Sequence, residues 1–464
     1  MGKTTTVLIA SISIILMMVA GLTLYQQNAE PGLSTGKILD YAEKRLEGHA
    51  DLSALFLPVI TEIRDWVDEP AAYAKFVHPF IIPPPPILLA EPGNGGLMDG
   101  VTHDGHIIHV GPSRNIKQIG EAAMLARNGD VIEIDSGEYH GDVTVWPQKA
   151  LTIRGVGGNA RLFAEGKIAE GKGIWVMRNG HFDIENIDFI GARAPDRNGA
   201  GIRFEKGALH IRNCLFYGNE DGLLTANDHD SELEIENSEF AYNGAGDGQS
   251  HNLYVGKISS LKVSGSYFHH ANVGHLLKSR ARSNLIAYNR LTDENGGKAS
   301  YELDLPSGGI STVIGNIIQQ GPDTENSTII SYGEEGYQWP SDLYLASNTV
   351  VNDRIQGGTF LKVAPAAEEI ISMNNIYVGA GDYLVPKTWV SFNDIHAEWD
   401  IFELAQRQNY HLNSKGQQFA FRPPPENVSQ RMELTPQAEY ANPRMIRALT
   451  SPPRFPGAVQ SIER

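Results

Sequence analysis

The chain has 464 residues, 41% of them hydrophobic, and a formal net charge of −17. That is enough apolar material for a large core, and the acidic balance excludes nucleic acid as a partner, because phosphate binding needs a basic surface. One cysteine, Cys214, excludes an intrachain disulfide; flanked by apolar strand positions, it reads as a small buried hydrophobe.

The chain opens with a polar stretch, residues 1–6, that carries Lys3. Val7 to Tyr25 then contains no charge and would reach roughly 28 Å as a helix, about one hydrocarbon core. With Lys3 ahead and acidic sequence behind, the positive-inside rule keeps the N-terminus cytoplasmic and exports the rest. The expectation is an inner-membrane signal anchor over 7–25 with the bulk in the periplasm. Cleavage near Val19-Ala20-Gly21 would instead release a secreted protein. Residues 36–77 read as a helical stalk, since Leu52, Leu55, Phe56, Val59, Ile60, Ile63 and Val67 fall on one helical face. Residues 78–97 read as a linker: Pro79 and Pro83 to Pro86 impose extended backbone, and Gly93, Gly95 and Gly96 loosen its end.

From about Leu151 a unit recurs roughly every 27 residues, marked by Gly155, Asn186, Asn213, Asn237, Gly265, Asn289, Asn316, Asn348 and Asn375. Each unit pairs short apolar strands with a turn, which fits one coil of a parallel β-solenoid. The asparagines read as a turn ladder, each amide bonding backbone and the asparagine of the next coil. Ahead of the first coil, Ile116, Ile119, Ala123 and Leu125 predict a capping helix over 115–127. The non-repeating tail, 381–464, reads as a C-terminal cap lying along the solenoid, with a helix expected over 395–406.

The stretch Asn115-Ile116-Lys117-Gln118-Ile119, Asn128-Gly129-Asp130-Val131-Ile132-Glu133-Ile134, Gly137-Glu138-Tyr139 and Leu151-Thr152-Ile153-Arg154-Gly155 resembles the opening of right-handed parallel β-helix proteins of the pectin-lyase-like superfamily. The resemblance implies an all-β right-handed parallel β-helix over 111–380. It leaves the reaction open, because such folds host lyases, hydrolases, epimerases and non-enzymes.

A solenoid filled by side chains has no central pocket, so chemistry belongs on an outer face where coils stack ~4.8 Å apart. One strand per coil runs through Asn252-Leu253-Tyr254-Val255-Gly256, Gly274-His275-Leu276-Leu277-Lys278, Ser300-Tyr301-Glu302-Leu303-Asp304 and Thr328-Ile329-Ile330-Ser331-Tyr332. Aligning Val255, Leu277 and Leu303 as inward residues makes Lys278 and Asp304 neighbours. Strict alternation then points Tyr254, Leu276 and Glu302 outward as well. Glu302 and Asp304 would form a carboxylate pair ~6.5–7 Å apart, at the short edge of inverting-glycosidase spacing.

Leu277-Lys278-Ser279 with Asn289, and Leu303 with Gly308-Gly309 and Gly315-Asn316, resemble the catalytic strands of the chondroitinase B and alginate lyase family. The resemblance carries Lys278 over as base, but Asp304 stands where that family places an arginine. It also implies calcium as a cofactor, with no matching ligand set here; Asn219-Glu220-Asp221 and Asn227-Asp228-His229-Asp230 are the candidate turns, and His269-His270 is a further metal candidate. The expected function is cleavage of an acidic, uronate-containing polysaccharide by β-elimination. This needs a base and positive charge beside the substrate carboxylate. Lys278 would be the base and Arg280 the charge stabiliser, with Glu302, Asp304, His251 and His275 lining the groove. Tyr254, Arg282, Tyr332, Glu335 and Trp339 would contact substrate, with Trp146, Trp175 and Tyr337 as further stacking candidates. The alternatives are a glycoside hydrolase or C5 epimerase using the Glu302/Asp304 face, and a non-catalytic glycan-binding or structural solenoid in polysaccharide export.

Overall fold

The computed structural model describes residues 80–86, 105–429 and 433–462. The expected anchor over 7–25, the stalk and most of the linker lie outside these residues. Among the described residues no helix is long and apolar enough to cross a membrane.

From Ile107 to Ala397 the chain winds as a parallel β-solenoid. Two legs of each coil belong to one 21-stranded sheet, and the third leg forms a separate ten-stranded sheet. Every pairing within these two sheets is parallel and joins one coil to the next; for example Leu233-Glu234-Ile235 lies between Leu209-His210-Ile211 and Leu261-Lys262-Val263. The last pairings, Ile376–Ile395 and Val378–Ala397, carry the winding beyond residue 380.

The interior is filled by columns of like side chains. Trp146, Trp175, Phe189, Phe216, Phe240 and Phe268 form a continuous aromatic stack with ring centroids 4.4–5.4 Å apart. Trp146 and Trp175 are therefore core residues, fully buried, and are removed from the candidates for sugar stacking. Each such ring withdraws a large apolar area from water, worth on the order of 2–3 kcal/mol. Cys214 is buried as expected.

The bend between the two legs of the long sheet uses two adjacent columns. Asn186, Asn213, Asn237, Gly265, Tyr288, Gly315, Ser347, Asn374 and Asn393 hold left-handed backbone, φ between 47° and 66°. The residue after each points inward. There Asn289, Asn316, Asn348 and Asn375 form the expected ladder: each Nδ2 donates to the next coil's side-chain oxygen at 2.9–3.0 Å, ending on Asp394. The sequence markers had merged these columns. Asn186, Asn213 and Asn237 are turn formers, using asparagine's tolerance of left-handed backbone.

The N-terminal end is closed by the helix Ile119–Leu125, shorter than expected, which buries Ile119, Ala122 and Ala123. Its first N–H groups donate to Asp142, Ile119 N at 2.5 Å and Gly120 N at 2.9 Å. The tail lies along the solenoid. Leu434 and Val428 cover Ala287, Ile314, Tyr344, Ala346, Ile371 and Met373 on the outside of the long sheet. The helix expected over 395–406 is replaced by the strands Ile395–Ala397 and Phe402–Leu404 with short 3-10 turns. The apolar residues there serve the last coil and the antiparallel pair Phe402–Leu404 with Asn409–Leu412.

Residues 80–86 do not hang free as linker. Phe80 packs at a tilt against Tyr242 with centroids 6.0 Å apart, the Tyr217 hydroxyl donates to Pro83 O at 2.8 Å, and Arg161 reaches Pro85 O and Pro86 O at 3.4 Å. A proline backbone keeps its carbonyls free, so they accept these bonds from two coils of the long sheet.

Candidate active site

The ten-stranded sheet presents one outward column, Arg203, Leu224, Tyr254, Lys278, Asp304, Ser331 and Lys362, each residue paired with its neighbour on the adjacent coil. The inward column is Leu223, Leu253, Leu277, Leu303, Ile330 and Leu361. The inferred register is thus corrected by two residues on one strand, since Leu253 rather than Val255 aligns with Leu277. The predicted Lys278–Asp304 adjacency is present.

Lys278 lies between two carboxylates. Its Nζ is 3.4 Å from Asp304 Oδ2 and 3.2 Å from Glu335 Oε1. Arg280 grips Glu335 through a fork, Nε to Oε2 at 2.9 Å and a terminal nitrogen to Oε1 at 2.7 Å. Its other nitrogen donates to the Tyr254 hydroxyl at 2.7 Å, and the guanidinium carbon sits 5.2 Å from that ring's centroid. Trp339, half-buried, donates Nε1–H to Arg280 O at 3.2 Å, fixing the strand end beneath it.

Behind these groups lie two buried histidines. His251 and His275 stack with centroids 4.3 Å apart, and the His275 N–H donates to His251 Nδ1 at 3.0 Å. His275 Nε2 is 3.5 Å from Asp304 Oδ2. Burial pushes both histidines well below the ordinary value, and the Lys278 and Arg280 charges push the same way, so both rings are neutral at pH 7. Burial raises the Asp304 carboxyl, against the pull of Lys278. Burial would raise Glu335 too, but hydrogen bonding from Arg280 and the charge of Lys278 outweigh it and hold Glu335 below its usual value.

Four predicted contacts do not join this cluster. Glu302 is fully buried and faces the interior, as does Leu276, so the expected Glu302/Asp304 pair does not exist on this surface. At the start of these strands two successive residues both turn inward: Asn252 with Leu253, Leu276 with Leu277, Glu302 with Leu303. Alternation fails there because the chain is still leaving the bend. Tyr332 is buried, its hydroxyl donating to Gly309 O at 2.6 Å. Arg282 is exposed and takes no part in the cluster's ion pairs. Tyr337 is held by the bond from its hydroxyl to Ala364 O at 2.6 Å.

Sequence reasoning did not assign Ser331, Tyr301, Lys257, Gln338 or Lys362 to this face. Ser331 follows Asp304 in the outward column, Tyr301 packs edge-on against His275 at 4.8 Å, and Lys257 Nζ meets Gln338 Oε1 at 3.4 Å. The outward column would have yielded Ser331 and Lys362 once Leu253 was aligned. Lys257 and Gln338 lie in loops with no periodic signal.

In both candidate calcium turns carboxylates are already engaged within the protein. Glu220 Oε2 accepts from the N–H groups of Ala194 and Gly199, both at 2.8 Å, and Asp228 Oδ1 accepts from Ser231 Oγ at 3.0 Å. His269 and His270 lie on another leg, beside Glu239 and Tyr267. Among the described residues one group has metal-ligand proximity, His210 with Glu234 and Glu236 on the long sheet. Hydrogen bonds to Asp183 and Glu236 push His210 up to about 9, which makes it the cation of a charge ladder. His210 pairs with Asp183 and Glu236 as an ion-pair ladder across the long sheet, and a metal there would have to displace the ring proton.

No family model matches this chain, and no curated protein matches it. Among solved structures, the crystal structure of pectate lyase Pel9A is similar, with 12% identity and a TM-score of 0.54, covering 78% of this chain and 97% of that one. The structure of Escherichia coli YbhC aligns with 10% identity over 67% of this chain and 77% of its own, at a TM-score of 0.32, too low to bear on the argument. The likeness to Pel9A concerns fold alone, and with the parallel coil-to-coil pairing it identifies the fold as a right-handed parallel β-helix.

Proposed function

We propose that the protein is a polysaccharide lyase that binds an acidic, uronate-containing chain along the ten-stranded sheet and cleaves it by β-elimination. The observation that carries this reading is the Lys278–Arg280 pair: two cations on and just past one strand, backed by the Tyr254 ring and facing solvent through the exposed carboxylate of Glu335.

β-Elimination removes the C5 proton beside the uronate carboxylate, builds negative charge on that carboxylate and expels the 4-linked sugar. Arg280 is suited to the charge, because its planar fork already holds a carboxylate bidentately. Lys278 takes the C5 proton. In the free protein it sits as an ammonium between two carboxylates. A saccharide covering the face excludes water, which favours the neutral amine–acid pair over the Lys278–Asp304 ion pair. Asp304, whose carboxyl burial has raised, accepts that proton. The neutral amine is then the base; as C4=C5 forms and C4–O breaks, the leaving oxygen takes a proton from the resulting ammonium, and Asp304 returns its own to Lys278. Tyr254, Tyr301 and Trp339 offer ring faces to sugars.

A glycoside hydrolase is the second reading. Asp304 is shifted up and Glu335 down while Lys278 bridges them. Such a split is the acid and base division of a two-carboxylate hydrolase. C5 epimerisation begins with the same proton abstraction.

Incubation with polygalacturonate, alginate and glycosaminoglycans separates these readings. Unsaturated, ultraviolet-absorbing products are expected. New reducing ends without unsaturation would establish hydrolysis, and altered uronate stereochemistry at constant chain length would establish epimerisation. Retention on an acidic-glycan column without turnover would leave a binding module. We further propose that residues 7–25 anchor the protein in the inner membrane with the solenoid in the periplasm. Fractionation should recover it with membranes; recovery only as a soluble, shortened chain would overturn the anchor.

A further inference from the structure

The loop 333–340 leaves the ten-stranded sheet between two glycines in left-handed backbone, Gly333 at φ 78° and Gly336 at φ 89°. Its base is pinned: Tyr337 OH donates to Ala364 O at 2.6 Å, Gln338 N to Ser307 O at 3.0 Å and Trp339 Nε1 to Arg280 O at 3.2 Å. Its three exposed polar side chains each meet a cation. Glu334 pairs with Lys362, Glu335 with both Lys278 and Arg280, and Gln338 with Lys257. These cations come from three different coils, on the strands Leu277–Ser279 and Thr359–Val363 and the turn after Leu253–Val255.

A surface ion pair is ordinarily worth little. Here one short loop supplies the anionic or amide partner for four cations, of which Lys278 and Lys362 stand in one outward column three strands apart. We infer that this loop is an internal mimic of an acidic polysaccharide, and that Glu334 and Glu335 make the face selective for chains bearing several carboxylates. The inference rests on the proposed binding of uronate polymers to this face.

The physical reason is effective concentration. A tethered carboxylate competes for Lys278 and Arg280 at a local concentration on the order of millimolar. A ligand with one carboxylate must beat that competitor at a single point. A polymer engages Lys362, Lys278 and Arg280 together and displaces both glutamates in one event. Chains without carboxylate offer nothing in exchange for the ion pairs they would cover. The glutamate side chains can leave by rotation about their own bonds, with the loop base still pinned.

The test is calorimetric titration of the full chain with hexagalacturonate, galacturonate monomer and maltohexaose as neutral control, for the wild type and for Glu334→Gln/Glu335→Gln. The expected result is at least a tenfold gain in hexamer affinity for the double variant, with monomer binding newly measurable and maltohexaose unchanged. Glu335→Gln alone, should the double variant not fold, is expected to show the same gain for the monomer. Equal or weaker hexamer binding by a folded variant, with the wild type binding, overturns the loop inference and leaves the functional reading intact. No uronate binding by either protein overturns both.

Discussion

At the scale of single residues, the fold depends on buried polar groups that have no substitute partners. Asn316 is fully buried; its amide donates to Asn348 Oδ1 at 3.0 Å and Ile286 O at 2.8 Å, and its oxygen accepts from Asn289. Replacing it by alanine strands several of these groups, each costing about 1–3 kcal/mol. Asn316→Ala should therefore lose roughly 2–4 kcal/mol in urea denaturation, while Asn237→Gly, at a left-handed turn position, should change little. Asp221 gives a pH prediction. Burial pushes its carboxyl up to about 8 from an unfolded value of 3.8, although Oδ1 accepts the His251 N–H at 2.8 Å. The folded state then holds a proton that the unfolded state has released. That contribution is complete below about pH 4 and is lost as pH rises towards 8. Between pH 5 and pH 8 denaturation midpoints should fall, by a few kcal/mol at most, and Asp221→Asn should flatten the slope. An unchanged slope would mean that other groups set it. The placement of Lys278 beside Asp304 was legible because Leu277 and Leu303 are unmistakable inward positions. Glu302 was not, since the paired inward residues at the strand start carry no period-two signal.

At the scale of elements, the coil repeat was readable from turn residues spaced by one circuit, and the capping helix from its apolar rhythm. The proline strap was readable only as extended chain. Proline segments have no side-chain periodicity, so nothing in the sequence said that residues 80–86 dock on Tyr217, Tyr242 and Arg161. Tyr217→Phe removes the hydrogen bond to Pro83 O. It should cost about 1 kcal/mol and speed chymotryptic cleavage near Phe80. In the Gly333–Pro340 loop, Glu335 and Trp339 were legible as residues of this face, but their partners were not. Glu335 meets Lys278 and Arg280 across 57 and 55 residues of sequence, a contact that only the stacking of coils creates.

At the scale of the whole molecule, the solenoid leaves an apolar outer strip that its tail must cover. Leu434 is 1% exposed against Ala287, Ile314, Tyr344 and Ile371, so Leu434→Asp buries an unpaired charge. This should loosen the tail, increase binding of a hydrophobic dye and promote association. On another face the same winding brings Lys278, Arg280, Asp304 and His275 together from successive coils. The fold class was in the sequence; the make-up of the candidate surface followed only from register, and its partners only from tertiary contact. The central claim is that this surface performs β-elimination on a uronate polymer with Lys278 as base. The most direct measurement is the rate of unsaturated product formation from polygalacturonate and alginate by the wild type and Lys278→Ala, with folding of both checked by circular dichroism. The account predicts product from at least one polymer and a loss of about 100-fold or more in the variant. Unsaturated product formed at the same rate by Lys278→Ala, or none from any uronate polymer by the wild type, would contradict it.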